Sequence, residues 1–539
     1  MPYREKYLEG WYGRLRGDRS TALQTARECA RLADPAMMAS AGAEDGRVVR
    51  AGSDPLPQNY QSVISRGANN MAGLMAMTTY PPGISFFAQS LRPDIEFNQN
   101  LDPALISQYL QALFVQDLRV MSELEQAGAE SRGGVPGFRA AGFKAASQYI
   151  ITGESMERFE DDLRLSTLRR DQYVVRRDSC GDIVTLIVVE QKDLKEFDEA
   201  TLMKLRLSAK EIKELDNKFP EERYEDLYTL VEWHEDTKKW VTCQQCKGVE
   251  ISESEDKYTR YVSTPYTLRP GHHYGTGLIE QMLGDAKSMD ELALRMLQFA
   301  ELGSRHLWAI DESSTTREED MVLPNGRVIR ARVSGGQIQD VAPLRTEKLS
   351  DFTVVEKTMN RVRDDVGASM LLKSEAIRNS ERTTATEVVA VMRELDYATG
   401  PVRAMVAEKQ QVPKAAYALH ALRTRNKNPF PMADPKLVKL QAVTGLDAIA
   451  RQKQAADLME VAGLAVQMGQ PGIDAIHMDV VIDALARLRG LHIPGFIKTP
   501  QERAEAQRQA IQMETQLAAQ QKAVDVVGNV AQHRATTAA

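Results

Sequence analysis

At 539 residues the chain has room for roughly three or four domains or one elaborate subunit, and its 43% hydrophobic, 27% charged and 6% aromatic residues exclude disordered, collagen-like and mucin-like classes. Lys and Arg number 68 against 75 Asp and Glu, a net charge of −7, so no global basic field marks nucleic acid as a partner and any DNA contact must be local or non-adhesive. No run approaches the ~18 apolar residues of a membrane helix, and Met1-Pro-Tyr-Arg-Glu-Lys lacks the apolar core of a signal peptide. The expectation is a soluble, unexported protein with no membrane partner. Four cysteines (Cys29, Cys180, Cys243, Cys246) make no disulfide scaffold and suit a reducing cytosol.

From Glu5 to about Leu32 the pattern is helical, with Leu15, Leu23, Ala26 and Ala30 on one side. Residues 51–58 read as loop. A second helix starts at Ser62, with Val63, Ala68, Met71, Leu74 and Met75 near helical spacing, and stops at Tyr80-Pro-Pro-Gly. A third fits Pro103 to about Ala127. Between about Gln172 and Pro270 the texture changes: Tyr173-Val-Val-Arg-Arg and Ile183-Val-Thr-Leu-Ile-Val-Val flank Asp178-Ser-Cys-Gly-Asp as a hairpin, and Leu227–His234 with Lys239–Cys243 form another pair.

Gly275 opens about thirty residues of helical pattern, on the order of 45 Å of rod. A small β module then interrupts, with Pro324-Asn-Gly as its hairpin turn. Ser350 caps the next helix, whose Phe352, Val355, Met359, Val362, Val366 and Met370 recur every three or four positions. A polar interval from Lys373 precedes a capping box of Thr384 and Glu387, and a long helix runs from Ala385 towards Leu422, with kinks expected at Gly400-Pro401 and Pro413. Beyond Gly445 helical patterns return, and Pro500 begins a Gln/Ala-rich helix too polar to form a core alone. The fold class is α+β, mainly α.

Chemistry is sparse. Cys243-Gln-Gln-Cys246 offers half a zinc site but no second pair, and reads as a turn after a strand. Gly275-Thr-Gly277 lacks the third glycine of a dinucleotide loop and reads as a flexible lead into a helix, and no Walker motif occurs. The acidic pairs Asp161/Asp162, Glu318/Glu319 and Asp364/Asp365 read as solvated faces rather than Mg²⁺ sites. Met71, Met75 and Met77 read as adaptable core. No catalytic residue, metal ligand or cofactor is assigned. Lys373, Arg378 and Arg382 have the chemistry to touch phosphates, though Glu375 and Glu381 beside them fit a solvated loop.

The word order of five blocks says more. Ser65-Arg-Gly-Ala-Asn-Asn-Met-Ala-Gly-Leu-Met, Arg170-Asp-Gln-Tyr-Val-Val-Arg-Arg-Asp-Ser-Cys-Gly-Asp, Tyr274-Gly-Thr-Gly-Leu-Ile-Glu-Gln-Met-Leu-Gly-Asp, Arg382-Thr-Thr-Ala-Thr-Glu-Val and Thr444-Gly-Leu-Asp-Ala-Ile-Ala-Arg resemble the head-to-tail connector, or portal, proteins of short-tailed bacteriophages.

This resemblance implies a ring, typically a dodecamer, at one capsid vertex of the virion, assembled in the host cytoplasm. Double-stranded DNA is packaged and ejected through its channel. The portal-type subunit would comprise a wing (1–274), a first stem helix (275–305), a clip (306–349), a second stem helix (350–370), a tunnel loop (371–384), a wing helix and return (385–450), and a crown with a C-terminal helical barrel (451–539). Lys373, Arg378 and Arg382 would face the channel. Arg361 and Arg363 would form further channel rings or inter-subunit contacts. Trp308, Arg317, Arg327, Arg330 and Arg332 of the clip would dock the terminase packaging motor and then the tail adaptor or tail tube protein. Further partners would be major capsid, scaffolding and internal core proteins. Twelve copies at −7 would surround an acidic polymer without gripping it. Two other readings are a metal-dependent DNA-processing enzyme using Cys243/Cys246 or the acidic pairs, and a membrane-proximal or scaffolding coiled-coil protein using the Gln/Ala-rich C-terminal helix.

Overall fold

The structure is a computed structural model and describes residues 7–38, 58–81, 85–92, 103–127, 137–219, 222–304, 308–310, 333–334, 337–338, 341–343, 349–372, 399–425, 437–443, 457–465 and 467–468, with single positions 481 and 485. The chain divides into two compact units, Met1–Gly445 and Leu446–Ala539. In the second, residues 457–465 are helical, with Ala465 buried and Val461 and Leu464 exposed.

The first unit opens with α1 (Tyr7–Ala33), buried through Leu8, Tyr12, Leu23, Ala26 and Ala30 at the spacing of one helix face. α2 (Val63–Thr79) buries Met71 and Met75, but Met77 is 66% exposed, so the core reading fails for that one methionine, which lies off the buried stripe. Strand β1 (Phe87–Leu91) and helix α3 (Pro103–Gln126) follow. Helix α4 (Phe138–Thr152) left no periodic signal because every side chain from Ala145 to Thr152 is buried, and a helix covered all round has no polar stripe.

Strands β2 (Glu154–Phe159), β3 (Leu165–Leu168), β4 (Tyr173–Arg177) and β5 (Ile183–Asp193) come next. Two short helices, α5 (Glu199–Lys204) and α6 (Ala209–Glu214), lead to β6 (Tyr224–His234), β7 (Lys239–Cys246), β8 (Val249–Asp256) and β9 (Tyr261–Pro265). β4 to β8 form a five-stranded antiparallel meander, and β3-β2-β9 a three-stranded sheet. The apolar run of β5 is explained by burial on both faces: Leu186 and Val188 pack with Met156, Leu168 and Tyr261, while Ile187 and Val189 pack with Leu8 and Tyr12 of α1. Both expected hairpins are present.

The thirty-residue rod expected from Gly275 is divided. α7 (Leu278–Gln281) stops at Met282, where φ/ψ is −110/20, and α8 (Leu283–Ser304) continues. Between α8 and α9 (Leu349–Ser369), β10 (Trp308–Ile310) pairs with β13 (Val341–Pro343), and β11 (Val333–Ser334) with β12 (Gln337–Ile338), a small β module as expected. The Pro324-Asn-Gly turn lies outside the described residues.

Residues 399–425 form α10, comprising helix 399–406, a π turn at Ala407–Gln411 and the α-helical stretch Val412–Arg425. Pro413 does not break it. The wider turn, closed by Val412 N–H to Ala407 O, sits where Pro413 lacks an N–H and its ring would crowd the preceding carbonyls. Finally β14 (Val438–Ala442) returns to pair antiparallel with β1.

Candidate functional site

The pair α8/α9 is the candidate working element, and its root is closely packed. Three glycines let two backbones touch there. A Cβ on Gly153 or on Gly275 would lie 2.3 Å from the other's carbonyl oxygen, and one on Gly277 would lie 2.8 Å from Ile150 O. Gly153 ends α4 at φ +90, the left-handed cap that favours glycine. Gly275-Thr-Gly277 is therefore a close-packed junction rather than the flexible lead expected from sequence. Arg170, fully buried, fastens it: its guanidinium donates to Thr152 O and to Gly275 O and lies 5.3 Å from the Tyr274 ring centroid. Arg19 of α1 in turn donates to Asp171 O and Tyr173 O, both at 2.8 Å, and Arg177 pairs with Glu154, to which Ser263 also donates. Guanidiniums suit this work because their fixed fork satisfies several carbonyls at once.

α8 is held at its start by Asp290, which accepts from Tyr60 N at 2.8 Å and pairs with Arg31, and by the Lys287–Glu28 ion pair. α9 is held at its end. Met370 packs so tightly on Gly67 of α2 that a Cβ there would lie 2.0 Å from its Sδ, and Asn70 donates to Met370 O and Leu371 O. Leu371, at φ +54, closes the helix with Leu372 N–H to Gly367 O, a Schellman-type cap formed by a residue that must strain to adopt it. Val402 and Val406 of α10 pack into the same cluster as Val366, Met370 and Leu372, so the chain leaves at 372 and returns at 399 on one apolar base.

Away from that root the pair is bare. From Glu291 to Glu301, and from Thr353 to Asp365, no side chain is buried, and Leu297 and Val354 are 56% and 64% exposed. Arg361 and Arg363 are both exposed on α9. Two positions apart, they point roughly 200° from each other around the helix, so they cannot line one wall together. Trp308 opens β10 opposite Pro343. Lys373, Arg378, Arg382, Arg317, Arg327, Arg330 and Arg332 lie outside the described residues, as does the pair Glu318/Glu319.

Sequence reasoning missed a buried ion pair that seats α10. Lys414 and Glu157 are both fully buried at 2.7 Å; Tyr80 Oη stands 2.7 Å from the same Nζ, and Gln410 donates to Glu157 at 2.6 Å. Burial pushes the Lys414 ammonium down, against the pull of Glu157. Gln411 donates to Thr79 O and Val443 O, and Lys409 pairs with Asp182 of the β4–β5 turn. Paired glutamines, Gln410 and Gln411, followed three residues later by Lys414 inside an apolar helix pattern were the available signal. The Cys243/Cys246 pair is corrected: both lie within β7, not in a turn after it, and their odd spacing on a strand puts Cys243 on the α1-side cluster and Cys246 on the opposite face, towards α5. Burial pushes their thiols up to about 12 and about 11. Among the described residues no group of three His, Cys, Asp or Glu side chains is arranged to hold a metal ion. Asp161 pairs with Arg260 and Asp162 with Arg164.

The family model described as bacteriophage head to tail connecting protein matches residues 5–493, and the chain belongs to that family. Its function is that of a phage portal of the short-tailed type, as the resemblance implied. The portal protein of Escherichia phage T7 is 22% identical over 524 residues, covering 93% of this chain and 90% of the relative. That of Enterobacteria phage T3 is 23% identical over 521 residues, covering 93% and 89%, and that of Enterobacteria phage SP6 is 25% identical over 460, covering 84% and 81%. These relatives are named as portal proteins, not as enzymes. A solved neck of an empty GTA particle, computed with C6 symmetry, aligns with a TM-score of 0.37 and 12% identity over 80% of this chain and 90% of that one, a likeness too low to carry an argument. No helix among the described residues is long and apolar enough to cross a membrane.

Proposed function

We propose that the chain assembles into a closed ring, a dodecamer by the family's habit, at one capsid vertex of a phage particle built in the host cytoplasm, and that double-stranded DNA passes through its centre. The observation that carries this reading is the bare helix pair: α8 and α9 are rooted in a rigid, glycine-tight junction yet leave apolar side chains such as Leu297 and Val354 uncovered in a single chain. Neighbouring copies supply the cover. In this reading α7 to α8 and α9 are the stem, residues 306–349 the clip, 371–384 the tunnel loop, α10 the wing helix, and 451–539 the crown and barrel. The net charge of −7 per copy keeps the wall from adhering to DNA, while Lys373, Arg378 and Arg382 guide phosphates. Of Arg361 and Arg363, only one faces the axis and the other meets a neighbour. The clip, with Trp308, Arg317, Arg327, Arg330 and Arg332, docks the terminase motor and then the tail protein; capsid, scaffolding and internal core proteins contact the wing and crown.

Light scattering with negative-stain class averages tests the ring directly: a particle of about twelve subunits with an open centre is expected, and a monomer at every concentration refutes it. For the channel, Arg378→Gln with Arg382→Gln is expected to alter DNA retention in particles while rings assemble normally. Collapse of the ring in that variant would overturn the assignment. The zinc-nuclease reading finds no support in a strand that points its two thiols into different clusters.

A further inference from the structure

A groove of about 650 Å³ lies between one face of the five-stranded sheet and α10. Its floor is apolar and aromatic: Ile183, Val231 and the tilted pair Trp233 and Trp240, with ring centroids 5.3 Å apart, face Val412 and Pro413. Asp178, Asp182 and Glu235 stand among its lining residues beside Arg177 and Lys409, the first of these cations paired with Glu154 and the second with Asp182. Such a volume accepts one or two large side chains, and interface anchors fill apolar and aromatic pockets of this kind.

The matching knob is on the same chain. Phe219 is 72% exposed, and Lys218 beside it is exposed too. It stands five residues before β6 begins, whereas Trp233 is the tenth residue of that strand, so knob and groove lie at opposite ends of one sheet, about 30 Å apart along β6. A chain cannot fill its own groove across that distance. A pair of complementary sites at opposite ends of one subunit is a heterologous contact, the kind that closes rings when it repeats.

We propose that Phe219 of one copy inserts into the Trp233/Trp240 groove of the next, with Lys218 set against Glu235 and Asp178 at the rim. This rests on the ring reading and deepens it: it gives the wing a specific inter-subunit lock, separate from the bare stem helices. It also explains why an aromatic residue is left in solvent on a turn whose own small cluster, Leu194, Leu202, Leu205 and Leu215, is complete without it.

The test uses the full chain. A photoreactive phenylalanine analogue at position 219 in isotopically light subunits, mixed with heavy subunits and assembled into rings, is expected to crosslink light 219 to the heavy segment 233–240. Phe219→Ser is expected to raise the subunit concentration at half-assembly by about tenfold or more, the scale of an interface anchor. Lys218→Glu and Glu235→Lys each weaken assembly, and the double variant recovers it. Wild-type assembly by Phe219→Ser, or crosslinks that land elsewhere, overturns the lock while leaving the ring intact. Failure of the wild-type chain to form rings at any concentration removes the ring and the lock together.

Discussion

Replacing Lys414 by Met isolates the energetics of the buried pair that seats α10. The side chains are similar in length, so packing against Tyr80 and Phe138, whose rings lie 5.1 and 5.7 Å from the Lys414 nitrogen, is kept. What changes is electrostatic: Glu157 retains only the Gln410 amide and is left as a fully buried carboxylate without its cation. Breaking one side of such a pair costs about 3–5 kcal/mol. At about 1.4 kcal/mol per tenfold, amide protection in Val412–Arg425 should fall by at least about 100-fold if that segment opens as a local unit. Hydrogen exchange resolved by mass spectrometry reads this peptide by peptide. The double variant Lys414→Met with Glu157→Leu should recover much of the loss, short of the roughly 1–3 kcal/mol for leaving Gln410 unsatisfied. A single variant within about threefold of wild type, corresponding to less than about 1 kcal/mol, would show that the pair does not seat the helix.

Gly153→Ala places a Cβ 2.3 Å from Gly275 O at a left-handed position, so a loss well above 2 kcal/mol is expected, seen as a failure to accumulate soluble protein or as a large drop in urea midpoint. Burial raises Asp117 to about 7 against a free value near 4, despite the hydrogen bonds from Gln89. The folded state then holds a proton the unfolded chain has lost, so stability should fall as pH rises from about 4 to about 7 and level off above; Asp117→Asn should flatten that profile in thermal melts. Exposed Cys180 should react with a thiol reagent within minutes while Cys29, Cys243 and Cys246, whose thiols burial pushes up to about 12, 12 and 11, react only on unfolding. Equal labelling of all four in the native protein would contradict their placement.

Elements with one wet face were legible from sequence. α1, α2 and α9 announce themselves by a stripe at helical spacing, and the β4–β5 hairpin by turn residues between apolar runs. α4 was not, because burial on all sides erases the pattern that periodicity reads. The junction of Gly153, Gly275 and Gly277 was invisible for a different reason: nothing local tells a glycine that permits motion from one that permits contact with a residue more than a hundred positions away. Buried Arg19, Arg170 and Lys414 look like surface residues in sequence, since only the fold brings the carbonyls and the carboxylate that hold them. Of the candidate site, the helix pair carrying Arg361 and Arg363 was legible, while the 200° between those two side chains follows once the helix is drawn.

The β1–β14 ladder joins residues 87–91 to 438–442, so an edge made early in synthesis waits for a partner about 350 residues later. At ribosomal speeds of about 5–20 residues per second that wait is roughly 20 to 70 s. Everything between, including the helix pair and the β module, has left the ribosome before the sheet can be sealed. A nascent chain truncated anywhere in that span keeps an open edge and an incomplete body. Closing this two-stranded sheet thus requires a chain whose central segment is already whole.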